Sequence, residues 1–333
     1  MHGRAKAGVR LFSNRSARLG GAVIAALLAF ALLGPFAARH GPLESDFVHG
    51  LGADGVPVGP SADFPLGADR LLRDEFARLA YAGRVSLFIA VLATLIATAL
   101  GALVGIVSGW FEGARARVPW AVLAGVAGAI AALAEGRAGL AVLVIVAAGL
   151  VAVRRPSGPL LDVDGWLMRL ADVLLAFPFL LLVMAIGASL DRTTAVTIFL
   201  TLGATGWLGI ARVLRAKTMQ VRSLGYVEAS RALGQSTAWV MLKHVLPNVA
   251  GPLIVTATVL VAQMIIADSV LSYLGVGISP PTPTWGRMLF EGADDYLVAP
   301  WLVAAPAGAI LLAVWGFNML GEGLRDALDP RDA

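Results

Sequence analysis

Apolar residues in this chain come in long unbroken runs, and polar residues gather in the intervals between them. The runs cover 19–38, 85–110, 118–134, 139–153, 174–190, 195–213, 249–276 and 301–320. A helix needs about 20 apolar residues to cross a hydrocarbon core roughly 30 Å thick. Six runs read as spanning helices. The other two, 118–134 and 139–153, lie near the lower length limit and are joined by a tight turn at Glu135–Ala138. They predict a short hydrophobic hairpin that either crosses the membrane or re-enters it. The resulting division is a tail at 1–18, a first helix at 19–38, an outer loop at 39–84, a membrane core at 85–321 and a tail at 322–333. The hairpin 118–153 and a polar segment at 222–248 are set within that core.

The interval 226–248 is the longest polar-studded stretch of the C-terminal half. Leu224, Val227, Ala229 and Ala232 line one side of a predicted helix, with Glu228 and Arg231 on the other at i, i+3 spacing. Gly234 supplies a helix stop, and Ser236 an N-cap for a second helix in which Trp239, Leu242 and Leu246 share a face. Pro247 is expected to break or kink that second helix. The expectation is an amphipathic helical hairpin between two membrane spans.

Composition supports the membrane reading: of 333 residues, 58% are hydrophobic and 14% charged, with a mean hydropathy of +0.79. A net charge of +4 could indicate nucleic acid, but all the basic residues except Lys6, Lys217 and Lys243 are Arg, scattered at the ends of apolar runs. Membrane orientation explains that placement. Arg4, Lys6, Arg10, Arg15 and Arg18 put the N-terminus in the cytoplasm, and Gly34-Pro35-Phe36 makes a poor leader-cleavage site, so the first helix is expected to be retained. Arg212, Arg215, Lys217, Arg222, Arg231 and Lys243 place the 222–248 interval on the same side. The acidic loops at 39–80 and 277–299 fall outside, and Arg325 and Arg331 return the C-terminus to the cytoplasm.

Chemistry-bearing patterns are few. There are no cysteines, which excludes disulfides and thiolate sites. His2, His40, His49 and His244 are dispersed, so no metal or nucleophile constellation forms. No Gly-x-x-x-x-Gly-Lys-Ser/Thr loop is present, and none of the three lysines follows a glycine. Within the spans, Pro178 is expected to kink 174–190. Gln263 and the intramembrane acid Asp268 stand out in 249–276 as pathway or gating candidates, Asp268 near the outer end. A secondary transporter would need internal repeats around midplane charged sites, and no convincing repeat is visible.

Glu228-Ala229-Ser230, three residues, Gly234, nine residues and His244-Val245-Leu246-Pro247 resemble the cytoplasmic Glu-Ala-Ala loop of ABC importer permeases. Ser230 for Ala and His244 for Ile are mild departures. Leu66-Gly67-Ala68-Asp69 through Arg73-Asp74, Arg78 to Leu87, Met168-Arg169 with Asp172 and Phe177-Pro178, Pro280 to Gly286, and Gly321 to Arg331 resemble the C-type subunit of the dipeptide, oligopeptide and nickel branch. Leu72 stands where that branch usually carries Gly, and the hairpin 118–153 is an insertion relative to it.

The resemblance implies an all-α integral membrane protein with the six-helix core of a type I importer permease. It implies a non-catalytic subunit, working beside a second homologous permease, two cytoplasmic ATPase subunits that bind ATP and Mg, and an extracytoplasmic substrate-binding protein. Glu228, Ala229, Ser230, Gly234, Leu246 and Pro247 are then the ATPase-coupling residues. Peptide is the expected cargo, with nickel or a peptide-like conjugate as the alternative.

Overall fold

A computed structural model describes residues 14–52, 55–113, 115–117, 160–189 and 193–328, with isolated positions between 121 and 151. The expected hairpin 118–153 therefore lies largely outside the described residues. Helix α1 (Arg15–Ala37) is capped by Asn14, and α2 (Glu75–Trp110) by Asp74, whose carboxylate accepts from the Phe76 and Ala77 amides. After a two-stranded antiparallel ribbon, β1 (Arg115–Arg117) with β2 (Leu160–Asp162), come α3 (Val163–Leu175), α4 (Phe179–Ala188), α5 (Ala195–Gly206) and α6 (Leu208–Arg222). Next are α7 (Gly225–Ala232), α8 (Thr237–Val240), a π-helical turn (Met241–Val245), α9 (Leu246–Tyr273), α10 (Trp285–Gly292) and α11 (Trp301–Leu328). Among the described residues, five continuous helical segments are long and apolar enough to cross a membrane, and α3 with α4 makes a sixth if counted as one broken span.

Helix α2 is the central mast. Small residues recur along one side of it, with Ala93, Ala97, Gly101, Gly105 and Gly109 all buried. A methyl group added at Gly101 would lie 2.7 Å from Ile210 Cβ, at Gly105 2.5 Å from the Ala211 carbonyl, and at Gly109 2.6 Å from the Arg215 carbonyl. Side chains of that size are thus excluded, and α6 packs backbone to backbone on α2. In a bilayer such contact supplies the dispersion attraction that hydrophobicity cannot supply between the apolar faces of two helices.

The 174–190 span is not one kinked helix. Helices α3 and α4 meet at 83°, with Pro178 as the N-cap of α4 at φ −56° and ψ 125°, outside the helical region. Proline has no amide hydrogen and disfavours helix in the residue before it. Amphipathic α3 is pinned instead to the mast: Ser108 donates to Asp164, and Arg215 grips the same carboxylate with two bonds of 2.7 and 2.6 Å. At 10 residues, α4 rises only about 15 Å, half of a hydrocarbon core.

The outer segment 39–74 folds as a compact cap rather than a loose connector. Ser45, Leu51 and Ala68 form isolated bridges to Arg73, Pro57 and Asp74, and Phe64 is buried with His40 stacked on it at 4.9 Å. The His49 amide, with help from the His49 side chain and the Val48 amide, holds the Asp46 carboxyl down at about 2. Leu72 takes φ +59°, so its position requires the left-handed backbone that glycine adopts freely.

Pro35 sits inside α1 and cannot donate to the Ala31 carbonyl four residues back. Arg84 of α2 replaces that bond, donating from Nε to Ala31 O at 2.7 Å and from Nη2 to Leu32 O at 2.6 Å. Arg84→Met is expected to cost about 1–3 kcal/mol, the penalty for an orphaned carbonyl. In a Pro35→Ala background, where residue 35 regains its amide donor, the cost should fall by at least about 1 kcal/mol. Thermal unfolding of the four variants in one detergent checks this, and an equal cost in both backgrounds contradicts it.

Candidate functional site

The polar segment 222–248 folds as a helical hairpin built from α7, α8 and the π turn. Gly234 closes α7 at φ +79°, with its amide on the Arg231 carbonyl at 3.0 Å. No neighbour lies within 4 Å of a Cβ built there, so glycine is selected by backbone conformation and not by space. Ser236 caps α8, accepting from the Trp239 amide. Burial divides α7 differently from the pattern expected: Val227 and Ser230 face inward, while Leu224, Ala229 and Ala232 are exposed with Glu228. The inner ridge follows i, i+3 spacing on Val227, and Leu224 lies outside the helix at its N-cap.

Pro247 does not break the second helix, which runs on from Thr237 to Tyr273. The π turn absorbs it: the Leu246 amide reaches back to Met241 O, and Pro247 falls in the first turn of α9, where its missing donor is not needed. Leu246 is partly buried and packs on the core, whereas Pro247 is exposed.

A clasp at the hairpin's base fixes its two arms. Asn248 donates to the Tyr226 hydroxyl at 2.9 Å and to the His244 carbonyl at 2.6 Å. The His244 ring packs edge-on against Tyr226 at 5.6 Å and Trp239 at 5.2 Å. His244 therefore fills an aromatic niche, which explains a ring where the family motif has isoleucine. Ser230, the other departure, is buried and donates its hydroxyl to the Gln235 side chain across the Gly234 turn. Arg231 lies over the Trp110 ring at 5.5 Å, so it faces α2 and does not pair with Glu228. Arg222 donates to the carbonyls of Gly109, Trp110 and Glu112 and pairs with the Glu112 carboxylate at 2.5 Å. It thereby caps the C-terminal end of α2.

Beyond the clasp, residues 231–239 are all exposed. Leu233 at the tip is 80% exposed, and Leu242 and Trp239 are exposed on the second arm. With Glu228 beside them, these make an apolar surface edged by charge, the composition of a protein contact.

The pathway candidates separate. Pro178 and Gln263 line one cavity of about 500 Å³ between the α3–α4 elbow, α5, α6 and α9, together with Phe177, Leu182, Thr205 and Met264. Asp268 lies apart on α9, fully buried, and neither carboxylate oxygen meets a hydrogen-bond partner among the described residues. The sequence did not single out Tyr226, Asn248 or Leu233 as site residues. Their spacing around the glycine was the available signal.

Residues 144–332 match the family described as binding-protein-dependent transport system inner membrane component, and residues 5–50 match the N-terminal TM domain of oligopeptide transport permease C. Among curated proteins, the chain is 32% identical over 323 residues to the oligopeptide transport system permease protein OppC of Bacillus subtilis, covering 97% of this chain and 88% of that one. It is equally similar to the dipeptide transport system permease protein DppC of the same organism, of which 84% is covered. It is 31% identical to the glutathione transport system permease protein GsiD of Pectobacterium atrosepticum over 84% of this chain and 76% of that one.

Because only the backbone demands glycine at 234, Gly234→Asn should leave the turn ordered. Gly234→Val should destabilise the hairpin by about 1–2 kcal/mol, the left-handed penalty for an L residue. Amide exchange across 225–245 checks this: faster exchange in the Val variant and near-normal exchange in the Asn variant are expected, and equal behaviour of the two contradicts the backbone argument.

Proposed function

The chain belongs to the family of binding-protein-dependent transport system inner membrane components and is the membrane-spanning permease subunit of an ABC importer; from that premise we propose that it carries peptides inward and that residues 222–248 couple it to an ATPase. The observation that supports coupling best is the exposed tip at 231–239 on a base clasped by Tyr226, His244 and Asn248. A rigid base with an uncovered apolar tip can receive a push and pass it on. Glu228 supplies the charged contact at the rim, Ala229 keeps the approach close, Gly234 sets the bend, and Leu246 with Pro247 feeds the motion into α9. Two ATPase subunits that bind ATP and Mg, a second homologous permease and an extracytoplasmic binding protein complete the machine. Both termini of this chain lie on the ATPase side. Closure of the ATPases biases a two-state helix bundle between inward- and outward-facing forms. The cavity holding Pro178 and Gln263 at the α3–α4 elbow is the part of the pathway contributed by this chain.

Peptide is favoured as cargo because the relatives with nearly full-length coverage are named for oligopeptide and dipeptide transport. Reconstitution of both permeases, the ATPases and the binding protein in proteoliposomes tests the proposal. Uptake of a labelled di- or oligopeptide that requires ATP is expected, and Glu228→Ala should lower its rate by roughly tenfold, about 1.4 kcal/mol in coupling. Uptake of nickel or glutathione in preference to peptides overturns the cargo assignment, and an unchanged rate in Glu228→Ala overturns that residue's role.

A further inference from the structure

A cavity of about 460 Å³ lies between the 69–78 segment and α10, under the outer cap. Its arginines are all engaged. Arg78 and Arg73 both bind Asp69 and Glu291, Arg78 at 2.6 Å from Glu291 and Arg73 at 2.6 Å from Asp69. Arg287 bonds Glu291 at 2.9 Å, and Arg70 pairs with Asp294 and Asp295. Burial pushes the Asp69 carboxyl up, with the Arg78 guanidinium opposing it. Glu75 is the exception. It lines the same cavity and is 2% exposed, yet among the described residues its side chain has no hydrogen bond and no ion pair. Its amide is bound to the Gly67 carbonyl at 3.1 Å, and burial together with the neighbouring carboxyls of Asp69, Glu291 and Asp74 pushes its own carboxyl well up.

A cation entering beside that carboxyl would favour its ionised form and offset the cost of burying the charge. The rim tells what brings that cation. Leu71 and Phe290 stand exposed at the mouth, and Tyr296, Leu297 and Val298 continue the exposed apolar surface. Asp294, 81% exposed at its side chain, and Arg70 are interleaved with them, which excludes lipid hydrocarbon as the cover for this surface. Apolar and aromatic groups around one buried ionisable group form the pattern of an interface anchor.

We infer that the Glu75 cavity receives a lysine or arginine side chain of the extracytoplasmic binding protein, which docks on the rim formed by Leu71, Phe290 and residues 296–298. This rests on the importer reading and names the point of contact for one of its partners.

The test measures affinity of the immobilised binding protein for the intact transporter in nanodiscs, at low and high salt. Glu75→Gln, which keeps shape and removes charge, is expected to weaken binding by about tenfold or more and to flatten its salt dependence. Leu71→Arg, a surface change that needs no repacking, sets a competing cation at the mouth and should weaken binding in the same direction. Wild-type binding with both variants within about twofold of it overturns the inference alone. Unchanged binding with a raised apparent KM for peptide also overturns it, in favour of a cargo subsite. Absence of wild-type binding overturns the importer reading and this contact together.

Discussion

The close approach of α2 and α6 is the constraint from which the rest of the structure follows. Gly101, Gly105 and Gly109 recur every four residues, so they stack on one side of α2 and let the α6 backbone lie against it where any side chain would collide with Ile210, Ala211 or Arg215. With apolar surface on nearly every side of its membrane stretch, α2 could not otherwise choose its partner or its register. The glycine ridge makes that choice, and it brings the C-terminal ends of both helices to one place.

Polar contacts at that end depend on the register so fixed. Arg222 reaches the last carbonyls of α2, and Arg215 meets Asp164 while Ser108 holds the same carboxylate from the mast. These bonds tie α2, α3 and α6 into one unit immediately before the hairpin. On the far arm the chain passes without a break from α8 through the π turn into α9. Displacement of the hairpin therefore has two stiff routes into the membrane: through α6 to the mast, and through α9 to the cavity that Pro178 and Gln263 share.

Much of this was legible in the sequence, for a physical reason. Apolar runs long enough to span a bilayer leave little freedom, and Gly234 with Ser236 announced a turn between two helices. Where two local rules competed, the sequence alone did not decide. Pro178 was expected to kink one span, and the chain breaks there instead because Asp164 has an arginine to hold α3 elsewhere. Pro247 was expected to break or kink its helix, and the π turn absorbs it instead. The ion network of Asp69, Arg73, Arg78 and Glu291 joins residues more than 200 positions apart, beyond the reach of any periodicity. Leu72, met first as a departure from a family glycine, proved to sit at positive φ, so its oddity in the motif and its backbone have one cause.

Coupling through residues 222–248 requires an ATPase subunit to cover the exposed tip of the hairpin. Because the chain has no cysteine, Leu233→Cys provides a single reporter at the tip. Its rate of maleimide labelling in nanodiscs, with and without the ATPase subunits, is the most direct measurement. Strong protection on adding the ATPases is expected, and equal labelling rates in the assembled and the free permease overturn the coupling role of the tip.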